Sequence, residues 1–238
     1  RKTRGGRKGR GKTGQTGKSL VVLEGVAERI AATLTIEGPD AAGSKRRIMT
    51  LRYDRKKVVT ALGDNGLVFL DQRLNGLPCV VKMIYLEHHS EEYVEELQTE
   101  ITVYASLFPL QGQVIPSVLF TGEDQLKRLV LVLSDEGSTL HTHTGASLAD
   151  SMGEAAFTAA AVGALGQLHS TGWLHGDVAL RNLVVPPVTN RVKLIDLGWS
   201  SRMTADAAGQ NAREAEIASL RESLSDFFRV LPEPPFVY

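Results

Sequence analysis

His175-Gly176-Asp177-Val178-Ala179-Leu180-Arg181-Asn182 is the stretch on which the reading of this chain turns, together with Val192-Lys193-Leu194-Ile195-Asp196-Leu197-Gly198 a few residues on. The first segment follows a helix expected over about 150–169. That helix opens with a capping box from Ser151 to Glu154 and carries an apolar stripe at Phe157, Ala161, Leu165 and Leu168. Asp177 and Asn182 then fall in a loop, and Asp196 closes a short apolar strand. Two carboxylates and an amide on loops can hold Mg²⁺ through oxygen while one carboxylate orients an attacking hydroxyl. Asp, Asn and Asp at these offsets arise by chance about 0.03 times in a chain of this length, taking roughly one in twenty per site. Requiring His two residues before Asp177 and Gly after Asp196 lowers that roughly 400-fold. Three unrelated surface polar residues are therefore a poor account of the pattern.

Upstream, Gly63 and Gly66 would let a turn approach a triphosphate closely, with Val68 over the base. Two short strands then meet at Asn75-Gly76, a hairpin signal. The second strand, 79–84, holds Lys82, and an inward-facing lysine on an apolar strand needs an anionic partner. A helix over 90–108 offers one. Its apolar face is Tyr93, Leu97, Ile101, Tyr104 and Leu107, with Ser90 as N-cap, and Glu100 borders that face. Glu91, Glu92, Glu95 and Glu96 occupy the first two turns, where carboxylates suit the helix dipole.

The outer parts carry less chemistry. The chain has 238 residues, 27 basic and 27 acidic, yet residues 1–18 hold eight basic side chains and no acid. The remainder holds 19 basic against 27 acidic, so a cationic tail precedes an acidic body. The tail has no apolar residue and is expected to be disordered. It reads equally as a nucleic-acid-binding or nuclear-targeting arm and as a solvated terminus. Gly17-Lys18-Ser19 is no P-loop, because Lys12 stands where the first glycine belongs. Residues 19–57 read as an extension with one strand over 48–53. No apolar run approaches a membrane span, and the single Cys79 excludes an intramolecular disulfide. An intracellular, cytoplasmic or nuclear setting is expected. His88-His89 and His141/His143 lack partners at zinc spacing. Trp173 and Trp199 are expected to pack as core or rim, and Cys79 as a small buried hydrophobe.

From about Ala61 to Gly198, 138 of the 238 residues, the ordered set of glycine turn, strand lysine, helix glutamate and two acidic loops resembles the protein-kinase-like superfamily. The resemblance implies an α+β, two-lobed fold with a β-rich N-lobe over 58–134 and a reduced helical C-lobe over 135–238. It implies ATP and Mg as cofactors. Lys82 would hold the α- and β-phosphates and pair with Glu100. Asp177 would be the catalytic base, Asn182 and Asp196 the Mg²⁺ ligands, and Gly63 and Gly66 the phosphate-covering loop. Val68, Val80 and Val184 would sandwich the adenine, and segment 133–137, with Leu133 and Ser134, would be the hinge.

Departures from the family pattern shape the expectation. Ala61 stands at the first loop glycine, Gly176 replaces the usual arginine, and Ala179 replaces the usual lysine. Arg181, as in the tyrosine-kinase form of the loop, could neutralise the γ-phosphate instead. Leu197 takes the place of phenylalanine. Only 40 residues follow Gly198, without an Ala-Pro-Glu triplet. One helix is legible there, with Ile217, Leu220, Leu224 and Phe227/Phe228 on one face, before Pro232 stops it. The chain is thus similar to small atypical kinases and fungal protein-kinase-like proteins. The expected function is Ser/Thr-type protein phosphotransfer. The alternatives are a small-molecule phosphotransferase of the aminoglycoside- or choline-kinase kind and a pseudokinase binding module. Expected partners are a protein substrate, a protein completing the short C-lobe, and nucleic acid at residues 1–18, with no membrane.

Overall fold

The computed structural model describes residues 33–39, 46–52, 58–61, 67–74, 77–87, 90–124, 127–143, 145, 152–186 and 191–229. Seven strands form one antiparallel sheet: β1 (Thr33–Pro39), β2 (Arg46–Arg52), β3 (Val58–Ala61), β4 (Leu67–Leu74), β5 (Leu77–Tyr85), β6 (Val118–Asp124) and β7 (Arg128–Ser134). Their order is β2-β1-β6-β7-β5-β4-β3, and a further bridge between Arg52 and Arg73 joins β2 to β4. That bridge links one edge of the sheet to the strand next to its other edge, so the sheet curls. β4 and β5 pair from Leu74↔Leu77 onward, the tight hairpin that Asn75-Gly76 signals. The sheet does not break at the expected boundary between extension and N-lobe. β1 and β2, from the 19–57 segment, pair with β6 and β4.

Period-2 alternation decides which way Lys82 points. Along β5, Cys79, Val81 and Met83 are buried, and Val80 and Lys82 take the opposite, partly open face. Helix α1 (Glu91–Ser106) packs on β5 and β7. Of the predicted stripe, Leu97, Tyr104 and Leu107 are buried and Tyr93 and Ile101 half-buried, while Val103 and Glu100 are buried beside them. Ser90 precedes it without a side-chain cap bond.

The remaining elements are helical or very short. Helix α2 (Glu154–Ser170) is alanine-rich and buries Phe157, Ala161, Leu165 and Leu168, the predicted stripe. Its start differs from the capping-box expectation. Met152 is helical, but Gly153 interrupts at φ +82°, a left-handed conformation that glycine alone adopts freely, so α2 itself starts at Glu154. Ser151 lies outside the described residues. Helix α3 (Ala207–Arg229) begins ten residues before the Ile217 stripe and packs along α2 through Leu220 and Leu224. Between α2 and α3 run β8 (Trp173–Leu174), β9 (Leu183–Val184), β10 (Lys193–Leu194) and β11 (Ser201–Arg202). β8 pairs with β11 and β9 with β10. One apolar core joins residues of α1, β7, α2, β9, β10 and α3, with Leu197 fully buried in it. The chain is α+β, and no helix among the described residues is long and apolar enough to cross a membrane.

Candidate active site

Three parts of the chain converge on one ammonium group. Lys82 Nζ donates to Glu100 Oε1 at 2.8 Å, to Glu100 Oε2 at 2.9 Å and to Asp196 Oδ1 at 2.7 Å. Burial works to lower the lysine pKa, but the two carboxylates outweigh it and hold it above its ordinary range. The Lys82 charge keeps Asp196 below the usual carboxylate range. Burial pushes Glu100 up, opposed by that same ammonium. Glu100 Oε1 also accepts from the Leu197 amide at 3.4 Å, so α1 grips the loop that carries Asp196. Asp196 itself sits at φ +65°, one of two non-glycine residues among those described with positive φ. Such a conformation costs of order 1–3 kcal/mol and persists only where surrounding contacts impose it.

Asp177 faces a second cluster. Arg181 Nη2 reaches its carboxylate oxygens at 2.7 and 2.8 Å, and Asn182 Nδ2 donates to Asp177 Oδ2 at 2.8 Å and to its carbonyl at 2.9 Å. Both Asn182 side-chain bonds run from its amide nitrogen to Asp177, so the two residues are held as a pair. The Asn182 carbonyl accepts from Ile195 N at 3.0 Å, and His175 Nε2 contacts the Ile195 carbonyl at 3.1 Å. The loop of Asp177 and the loop of Asp196 are therefore stitched together. His175 is fully buried, and burial lowers its pKa, leaving a neutral strut.

Two further residues hold the Asp177 loop, and sequence reasoning assigns neither a role. Glu216 of α3 accepts from Gly176 N at 2.7 Å, His175 N at 3.1 Å and His169 Nε2 at 2.7 Å. Burial raises a carboxyl pKa, but these bonds more than offset it and Glu216 lies below its ordinary range. The available signal was its place beside Ile217, bordering the apolar stripe of α3 as Glu100 borders that of α1. Gly176 sits at φ +81°, and a Cβ there would lie 2.0 Å from the Trp199 carbonyl oxygen. No other residue fits between the two loops.

The remaining predicted positions are placed less tightly. Val68 pairs across from Lys82, and Val80 from Leu133, so β4, β5 and β7 bring these residues side by side. Val184 is buried and bridges to Thr139. The Ser134 amide donates to Ser117 O, the Asp135 amide to Pro78 O and the Gly137 amide to Asp135 Oδ1, so these three donors of segment 133–137 are already paired. Ser134 Oγ donates to Glu136, which also forms a buried ion pair with Lys193 at 2.6 Å. Gly63 and Gly66 lie outside the described residues. Trp173 is buried as expected, but Trp199 is 59% exposed, contrary to the expectation that it packs as core or rim. Its backbone lies close against Gly176. A groove of about 720 Å³ lined by Glu154, Thr158, Val162 and Arg221 shares no residue with these clusters.

The donor chemistry fits a metal-bound polyphosphate. Lys82 supplies a cation, and Asp196 and Asn182 supply side-chain oxygens. Mg²⁺ uses one or two protein oxygens and takes its other ligands from phosphate and water. The chain matches no family model and no curated protein.

Proposed function

We propose that this chain is an ATP- and Mg²⁺-dependent phosphotransferase with a protein-kinase-like, two-lobed fold, transferring the γ-phosphoryl group to a protein hydroxyl. The observation that carries the reading is the assembly of Lys82, Glu100 and Asp196, from β5, α1 and the loop after β10, around one ammonium beside Asp177 and Asn182. A scaffold has no physical need to bury Glu100 against a lysine, whereas phosphoryl transfer needs alignment and cations around developing charge.

In this reading, Lys82 binds the α- and β-phosphates while Glu100 fixes its rotamer. Asp196 and Asn182 would hold Mg²⁺, which would supply charge neutralisation at the phosphates. Asp177 orients the acceptor hydroxyl and takes its proton. Arg181, the ion-pair partner of Asp177, offers its remaining donors to the γ-phosphate. Glu216 and the Gly176 cradle keep Asp177 in register with Asp196.

The test is transfer of labelled γ-phosphate to generic protein acceptors, with nucleotide binding measured in parallel. Asp177→Asn is expected to abolish transfer while nucleotide still binds, and Asp196→Ala to weaken Mg²⁺-dependent nucleotide binding. Equal transfer by wild type and Asp177→Asn would sink the catalytic assignment.

A further inference from the structure

Only ten residues, 197–206, separate Asp196 from α3, and four of them are spent on the Leu197 core contact, the Ser200 bond to the His175 carbonyl and the β11 pairing with β8. No segment between Asp196 and α3 is long enough to cover Asp177, so an acceptor meets what that short loop and its neighbours present. Two features are presented. The first is the exposed Trp199 indole, carried on backbone fixed against Gly176, the residue before Asp177. The second is the Glu96 side chain, which lies on Gly198 so closely that a Cβ there would meet Glu96 Cγ at 2.6 Å. Exposed Glu92 stands one turn before Glu96 on the same helix edge. An indole face and two carboxylates beside the proposed polyphosphate site suit a cationic acceptor, since guanidinium and ammonium groups stack on indole and pair with carboxylate.

Resting on the phosphotransfer reading, we infer that the acceptor is the chain's own basic segment, residues 1–19, docked past Trp199 and the Glu92/Glu96 edge of α1. That segment carries eight Lys and Arg residues, no acid, and the hydroxyls of Thr3, Thr13, Thr16 and Ser19. The rest of the chain has an acidic excess of eight, the opposite sign and the same size. Reach is sufficient. The fourteen residues from Ser19 to Thr33 span up to about 46–50 Å extended, against a radius of gyration of about 16 Å for a globule of two hundred residues. In the transfer, the Thr or Ser Oγ bonds to the γ-phosphorus as the bridging oxygen–γ-phosphorus bond breaks. The nucleoside diphosphate leaves with the bonding pair, and the hydroxyl proton passes to Asp177.

The experiment uses the full chain with ATP and Mg²⁺, phosphosite mapping, and separately carbodiimide crosslinking without nucleotide. Phosphate is expected on one or more of Thr3, Thr13, Thr16 and Ser19, and is absent in Asp177→Asn. The Glu92→Gln/Glu96→Gln double variant is expected to lower that label about tenfold, and Trp199→Ala about threefold. Crosslinks from Lys2, Lys8, Lys12 or Lys18 to Glu92 or Glu96 are expected in both wild type and Asp177→Asn, and about 0.5 M salt should suppress them. Label on a generic acceptor but on none of the four tail hydroxyls overturns this inference and leaves phosphotransfer standing. Crosslinks without Asp177-dependent transfer to any acceptor overturn both. Absence of crosslinks, with deletion of residues 1–18 abolishing RNA binding instead, assigns the tail to nucleic acid and overturns the inference.

Discussion

Removing the Glu216 carboxylate should release the loop that carries Asp177. One oxygen accepts from Gly176 N at 2.7 Å and the other from His175 N at 3.1 Å and His169 Nε2 at 2.7 Å. Hydrogen bonds to an ionised acceptor are worth about 1.5–3 kcal/mol each, and a buried donor left bare costs about 1–3 kcal/mol. The three bonds share one carboxylate and are not additive, so Glu216→Ala is expected to cost about 3–5 kcal/mol, a large share of the ~5–15 kcal/mol that holds a domain folded. Glu216→Gln keeps one acceptor oxygen and should cost about half as much. Urea unfolding followed by the fluorescence of buried Trp173 measures the global term. Amide hydrogen exchange at His175 and Gly176 measures the local one. Local opening made easier by about 3 kcal/mol speeds exchange at these two amides about 150-fold. If both amides in Glu216→Ala exchange within about threefold of wild type, and stability changes by under about 0.5 kcal/mol, Glu216 does not position the loop.

Tyr104 Oη is buried without a hydrogen-bond partner, and burial beside Glu100 raises its pKa well above the ordinary value. Tyr104→Phe is therefore expected to stabilise the fold by about 1 kcal/mol in urea, and a loss of that size would show that the hydroxyl is bonded. The pH profile of stability should bend twice. His175 is held below its ordinary 6.5 by burial, although Glu216, Asp196 and Asp177 face it, so the unfolded chain takes up a proton that the folded ring refuses. Stability therefore falls as pH drops below 6.5, by at most about 1.4 kcal/mol per unit, and His175→Phe should erase that shoulder. Asp196 and Glu216, both lowered, contribute stability that is fully present above their ordinary 3.8 and 4.5 and is lost as pH falls through their lower folded values. A urea midpoint that stays flat from pH 7 to 5 in wild type would refute the buried neutral His175.

Local spacing made much of the site legible. The apolar strand around Lys82 called for an anionic partner, and the stripe of α1 placed Glu100 at its border, because an inward charge demands a counter-charge and the helix period assigns faces without tertiary help. The start of α2 departs from the capping pattern of Ser151 and Glu154, because Gly153 at φ +82° places Glu154 in the first turn's first position. Trp199 departs from its expected packing for a different reason. Its exposure depends on where its loop lies in the fold, close against Gly176 from 23 residues earlier, which no local pattern encodes.

Sequence by itself determined the chemical inventory: a strand lysine, a helix glutamate, and Asp177, Asn182 and Asp196 on loops. It determined these because side-chain chemistry and short-range periodicity are properties of neighbouring residues. Only the tertiary structure decided that Lys82 meets carboxylates 18 and 114 residues away, that Glu216 clamps the His175–Gly176 amides from 40 and 41 residues away, and that Trp199 faces outward. Those outcomes depend on how the helices pack on the sheet and on one another, and packing is a property of the whole core.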